Sequence, residues 1–271
     1  MLAVGSLGAF LEIVLPQRVA QLAQSEAAEL ALARNGTAEA STSVSRLWAD
    51  ISIKGSMSLT DAQLTQSLAL AKSAEKSADD ALGHVQLAQS YIAQADGLPF
   101  QLHSPAFIAT DRPALDHLDK ALRATLKLTQ AATLQLTLAR HVTQDAQTIP
   151  AKLDPALNNR AWADAARTAS TLADDLKPLQ VSAGFADAML DPLWGKWIDA
   201  MLAVVTNAQQ YSLASAANQA QLAQQFGRNL AAARQQVTAS LAAAQTGAPA
   251  WATGKIQPVL DTVARETAAG S

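Results

Sequence analysis

The sequence predicts an all-α protein: an elongated antiparallel helical bundle with long, coiled-coil-like helices at about 60–95, 113–148 and 192–246, plus shorter packing helices. Three observations carry this prediction. Alanine, leucine and glutamine dominate the chain, and all three lose little side-chain entropy in a helix. Aromatic residues make up only 4% of it, and valine and isoleucine, which with aromatics favour strands, are scarce. Apolar residues recur at alternating steps of three and four over tens of residues, the spacing of one helix face.

The N-terminal stretch Met1 to Leu15 is apolar and ends at Pro16. A spanning helix needs about 20 residues. Segment 1–16 therefore reads as a core-packing first helix or as a weak or truncated membrane anchor. From Gln17 to Arg34, Val19, Leu22, Ala23, Ala27 and Leu30 define an apolar stripe with Glu26 and Glu29 outward. Asn35-Gly36 reads as a helix stop, because glycine accepts the left-handed conformation at a helix C-terminus. A second, less regular helix is expected from Thr37 or Ala38 to Ile51, with a loop after it at Lys54 to Ser58. Thr60 is then a good N-cap, with Asp61 in the first turn and Gln63 at capping-box spacing.

The clearest periodicity lies in the next helix. Leu64, Leu68, Ala71, Glu75, Ala78, Leu82, Val85, Gln89 and Ile92 form a seam interrupted only by Glu75 and Gln89. Glu75 reads as a register-setting polar residue, with Lys72 or Arg140 as candidate partners. Asp96-Gly97-Leu98-Pro99 ends this helix. The connector to Pro113 carries Phe100, Leu102, Phe107 and Ile108, apolar for a loop, and Asp111 can cap the next helix, with Pro113 in its first turn. In that helix Leu115, Leu118, Leu122, Thr125, Thr129, Ala132, Leu136 and Ala139 form a second seam, widened by Leu126, Leu128, Leu134 and Leu138. A wide apolar face touches more than one neighbour, so this helix is expected at the centre. The two helices form an antiparallel hairpin, each about 50 Å long.

Past Pro150 and Pro155 a shorter helix is expected from Leu157 to Lys177, with Trp162 and Leu172 inward and Pro178 as its end. Asp191-Pro192 opens a long helix to Thr246, terminated by Gly247 and Pro249, and a last helix runs from Ile256 to Ala268. No change of composition cuts the chain, so residues 1–271 read as one domain.

Charged residues are only 16% of the chain, against about 25% in ordinary globular proteins. The formal net charge is -3 with no basic stripe, which excludes nucleic acid as an expected partner. The absence of cysteine excludes disulfides, thiolate metal sites and a cysteine nucleophile. Of His84, His103, His117 and His141, none belongs to a Glu-x-x-His pair of the kind di-iron bundles use. Asp80/His84 and His141/Asp145 have helical spacing, but surface histidines are the better reading. No nucleophile elbow, phosphate loop or H-E-x-x-H motif is present. No catalytic residue, cofactor or metal is therefore expected.

Six residues stand out as candidate membrane or partner contacts. Phe100, Leu102, Phe107 and Ile108 lie in the apolar connector, and Trp194 and Trp197 precede an apolar stripe. Their alternative role is to cap the bundle and to fill gaps left by an alanine-rich core. The expected function is a non-enzymatic scaffold or interaction protein, with a lean to the bacterial cell envelope. It would act by binding a protein partner or itself through helices, with membrane contact through the N-terminus. A pore-former-like protein and a ligand-sensing bundle of chemoreceptor type are the alternatives.

Overall fold

The computed structural model describes residues 14–54, 59–98, 105–183 and 192–271, and among these no strand occurs. The fold is an all-α helical bundle. Its helices are α1 (Leu15–Lys54), α2 (Asp61–Asp96), α3 (Ala106–Thr148), α4 (Asp154–Asn158), α5 (Trp162–Ala183), α6 (Pro192–Ala216), α7 (Ala220–Lys255) and α8 (Gln257–Gly270), with a π-helical turn, Ile149–Leu153, between α3 and α4. Contacts divide the chain into two compact units. The first holds Met1–Leu47, Leu70–Gln130 and Pro258–Ser271, and the second Trp48–Ala69 and Ala131–Gln257. The division falls inside α1, α2 and α3, so no linker composition marks it.

In the first unit, α2 runs antiparallel to both α1 and α3. Glu29 and Gly36 of α1 meet His84 and Ala81 of α2 in opposite order. Arg112 of α3 reaches back to Asp96 of α2 at 3.1 Å, which closes the expected hairpin. Leu22, Leu30, Ala33, Ala78, Val85, Ile92, Ile108, Leu115 and Leu118 are part of one shared core.

The stop expected at Asn35-Gly36 is overturned: α1 continues through it for another five turns. A Cβ at Gly36 would lie 2.8 Å from the Ala81 Cβ, so this glycine serves a close helix approach and not a turn. Glu26, expected to point outward, is instead buried, 1% exposed. The buried positions of α1 run Leu22, Glu26, Leu30, Ala33, Thr37, Ala40, Val44, Leu47, Trp48 and Ile51 among the described side chains, and Ala27 faces solvent.

The capping box of α2 forms as expected. The Thr60 N–H donates to Gln63 Oε1 at 3.0 Å, and the Gln63 N–H donates to Thr60 Oγ1 at 3.3 Å. The seam of α2 is half right. Leu64, Ala71, Ala78, Val85 and Ile92 are buried, but the intervening buried positions are Ser67, Ala74, Ala81, Ala88 and Ala95. Leu68, Glu75, Leu82 and Gln89 flank the seam, half-buried. Small side chains take the inner positions because the neighbouring helix comes close there. The wide inner face of α3 is confirmed by paired buried positions such as Leu128 with Thr129, Gln135 with Leu136 and Leu138 with Ala139.

Three expected proline boundaries are also corrected. Pro113, Pro178 and Pro249 all lie inside helices. Each frees the carbonyl four residues earlier, on Ala109, Asp174 and Gln245. All of these residues lie on exposed parts of their helices, where a freed carbonyl is open to solvent instead of being sealed in a core. Accordingly α3 begins at Ala106, which places Phe107, Ile108 and Asp111 in a helix, and α5 ends at Ala183.

In the second unit, α6 packs antiparallel between α5 and α7. Trp162 and Gln180 of α5 meet Tyr211 and Asp199 of α6, and Tyr211 also meets Gly227 of α7. The single helix expected over 192–246 is therefore two, broken at Ala217-Asn218-Gln219. Asn218 takes the left-handed conformation, φ 55°, while its N–H donates to the Ser215 carbonyl and the Gln219 N–H donates to that of Ala214. This is a Schellman turn with asparagine in the place of glycine. Arg160, φ 59°, forms the same turn after α4, with the Ala161 N–H donating to Ala156.

Candidate functional site

Two places gather polar chemistry, one in each unit. In the second unit, the last turns of α3, the π turn and the outer face of α5 enclose an open cleft of about 470 Å³. The residues that line it all carry polar side chains except Leu172: His141, Gln144, Gln147, Thr148, Lys152, Thr168, Thr171 and Asp175, whose aliphatic stems and methyl groups share the surface with their polar atoms. The π turn inserts an extra residue into the helical path and re-aims the side chains of that turn, Lys152 among them. The Thr148 and Thr171 hydroxyls donate to the carbonyls of Gln144 and Arg167, so they face the cleft as acceptors. Neither Lys152 nor Asp175 forms an ion pair among the described residues. The cleft thus offers a cation, a carboxylate, an imidazole and two amides to a small polar molecule, within the volume range of ordinary ligand sites.

The first unit carries its charge between helices. His84 Nδ1 on α2 lies 2.6 Å from Glu29 Oε2 on α1, and His117 Nδ1 on α3 lies 2.7 Å from Glu266 Oε2 on α8. The His117 hydrogen bond is the main reason that Glu266 is held below the usual carboxylate range. Arg34 Nε donates to the Gly270 carbonyl at 2.9 Å, tying α1 to the end of α8.

Glu26 is the exception. Both of its oxygens are buried, and neither has a well-aligned hydrogen-bond partner. Burial first, and then the Asp111 carboxyl of α3, push it up to about 7, against a smaller opposing pull from Arg34.

The residues expected as contacts fall in different places. Phe100 and Leu102, like His103 and segment 1–13, lie outside the described residues. Phe107 is half-buried against the core of the first unit, and Ile108 is inside that core. Trp194 and Trp197 are buried in the core of the second unit, their rings edge-on with centroids 6.4 Å apart. They fill space beside a core rich in small residues such as Ala165, Ala169 and Ala208.

The histidines expected at the surface divide. His84 and His117 are half-buried in interhelix pairs, and His141 lines the cleft. His84 pairs with Glu29 and not with Asp80. Among the described residues no three His, Cys, Asp or Glu side chains are placed to hold a metal ion. No described helix is long and apolar enough to cross a membrane. Lys152 and Asp175 carry no motif that singles them out. The one sequence signal for Glu26 is its place four residues from both Leu22 and Leu30.

α7 presents a further surface. Over 36 residues it contains no acidic residue, and Leu230, Ala233 and Ala244 are its buried side chains among those described. Gln225, Arg228, Ala232, Gln236, Ala239 and Ala243 form one exposed stripe along it.

No protein-family model matches the chain, and no curated protein or solved structure matches it either.

Proposed function

We propose that this chain is a non-enzymatic scaffold or interaction protein of the bacterial cell envelope, acting through helix surfaces on a protein partner or on a second copy of itself. The observation that carries this reading is α7. An isolated helix gains little stability from propensity alone and is held by its apolar face. α7 is anchored by a narrow apolar edge, and its outer stripe combines amides, small side chains and one cation. Small side chains allow another helix to come close, and amides give it hydrogen-bonding partners. Low charge, and the apolar composition of segment 1–16, support the envelope placement.

A photo-crosslinking residue placed at Gln225 or Gln236 tests the reading in living cells of the source. A discrete adduct of one protein, or of a dimer of the chain, is expected at both positions. No adduct from either position, or turnover of a small substrate by the purified chain, would remove the proposal.

The polar cleft favours a second reading, a ligand-sensing bundle. Thermal-shift and calorimetric titration of the chain with small amino acids, polyols and carboxylates would test it. Binding that is lost in both Lys152→Ala and Asp175→Ala supports this reading, and no binding by any of the three classes counts against it.

A further inference from the structure

Glu26 sits in the row of side chains that α1 turns toward its neighbours, between Leu22 and Leu30, which are 3% and 4% exposed. A carboxylate in such a place loses its hydration, and without hydrogen bonds it recovers little of that loss. Two buried hydroxyls of this unit, by contrast, have partners. Thr37 Oγ1 donates to the Ala33 carbonyl at 2.7 Å, and Thr125 Oγ1 to that of Ala121 at 2.9 Å.

The charges around Glu26 can be named helix by helix. On α1, Glu29 is engaged by His84 and Arg34 by the Gly270 carbonyl. The register fixed by Glu29 with His84 and Gly36 with Ala81 brings α2 past Glu26 near Ala88 to Ile92, a stretch without charge whose one titratable group is Tyr91. The next charge along α2 is Asp96, joined to Arg112. On α3 the group that bears on Glu26 is Asp111, a second carboxylate. On α8, Glu266 is engaged by His117 and Arg265. Among the described residues the cation that pulls the other way on Glu26 is Arg34, and its guanidinium is already donating elsewhere.

We propose that Glu26 is a proton switch within the first unit. Carrying a proton, it is an uncharged member of the contact between α1 and α3. Without one, Glu26 and Asp111 repel across that contact, and the N-terminal part of α1 opens from α3.

Linkage sets the sign. A carboxyl whose value is raised on folding contributes stability that is fully present below its unfolded value and is lost as pH rises to the folded one. The bounds are the ordinary 4.5 and the folded value of about 7. An opened segment with ordinary acidity then becomes about tenfold more populated between pH 6 and pH 8, and is nearly constant above pH 8. Histidine changes charge in the same range. The comparison is therefore with Glu26→Gln, which keeps both histidine pairs.

The chain has no cysteine, so a single introduced thiol reports one place. Leu22→Cys, one turn before Glu26 and buried, is labelled with a thiol reagent from pH 5 to pH 9 in the full chain. The exposed Gln24→Cys corrects for ionisation of the thiol itself. The corrected rate at Leu22→Cys is expected to rise about tenfold from pH 6 to pH 8 and then level off. Glu26→Gln should abolish the rise. Asp111→Asn removes the neighbouring charge and should move the rise to lower pH. An equal rise with and without Glu26→Gln, no rise in either, or an upward shift in Asp111→Asn would each overturn the proposal. Should Glu26→Gln not fold, the direction of the Asp111→Asn shift decides it.

Discussion

Two glycines lie inside long helices of the first unit, and the same substitution should act on them in opposite directions. Gly36 on α1 would place a new Cβ 2.8 Å from the Ala81 Cβ, while a Cβ on Gly83 of α2 meets nothing within 4 Å. Replacing a helical glycine by alanine gains about 1 kcal/mol of helix propensity at either position. Gly83→Ala should show that gain. At Gly36 the methyl must be accommodated, and carbon atoms in contact sit roughly 3.5–4.0 Å apart. Its neighbour is a Cβ fixed to the α2 backbone, so no rotamer change can relieve the contact, and the helices must part by about 1 Å. Overpacking of this kind costs about 1–3 kcal/mol. The net effect of Gly36→Ala is a loss of about 0–2 kcal/mol, and the two alanine variants should differ by about 1–3 kcal/mol. Urea unfolding followed by circular dichroism measures both. Ala81→Gly removes the opposing methyl, so Gly36→Ala should become harmless in that background, as a double-mutant cycle would show. If Gly36→Ala raised the urea midpoint as much as Gly83→Ala, the close approach of α1 and α2 would be refuted.

Three further predictions concern helix ends and charge. Thr60→Ala removes the hydroxyl that accepts from the Gln63 N–H and should cost about 1 kcal/mol in the same unfolding assay. Arg160→Gly should stabilise the second unit by up to about 1 kcal/mol, since a side chain at φ 59° is strained and glycine is not, whereas Asn159→Gly should show no such gain. Glu266 is held low mainly by His117, so its contribution is present above the ordinary carboxylate value of 4.5 and is lost as pH falls through the depressed value. His117→Ala should therefore lower the urea midpoint at pH 6, with a difference from the parent chain that shrinks by pH 3.

Much of the fold is legible in the sequence, because it rests on periodicity and capping. The Thr60 and Gln63 box, the hairpin of α2 and α3, and the broad inner face of α3 all come from local patterns. The misreadings share a cause: a rule about single residues is overruled by packing or by solvent. Gly36 is a contact glycine, which only its neighbour Ala81 reveals. Pro113, Pro178 and Pro249 stay in helices because the carbonyls they free belong to exposed residues. The inner row of α2 is built from Ala74, Ala81, Ala88 and Ala95, yet hydrophobicity alone favours the larger Leu82 beside it. The break at Asn218 lacks the glycine that usually marks such a turn. The polar cleft is illegible, since it joins residues from α3, the π turn and α5 that share no spacing. Glu26 is misread for a plain reason: a charged residue is ordinarily solvated, and nothing local announces the exception.

The proposed action through the outer face of α7 can be measured directly. Arg228→Glu, Ala232→Glu and Ala239→Glu combined place three like charges on one exposed stripe, leave Gln225 and Gln236 available for the crosslinker, and touch no buried position. The triple variant should keep an unchanged circular dichroism spectrum and a urea midpoint close to that of the parent chain, and should lose the complex trapped by crosslinking from α7. A complex that forms undiminished on the folded triple variant would contradict the proposed action.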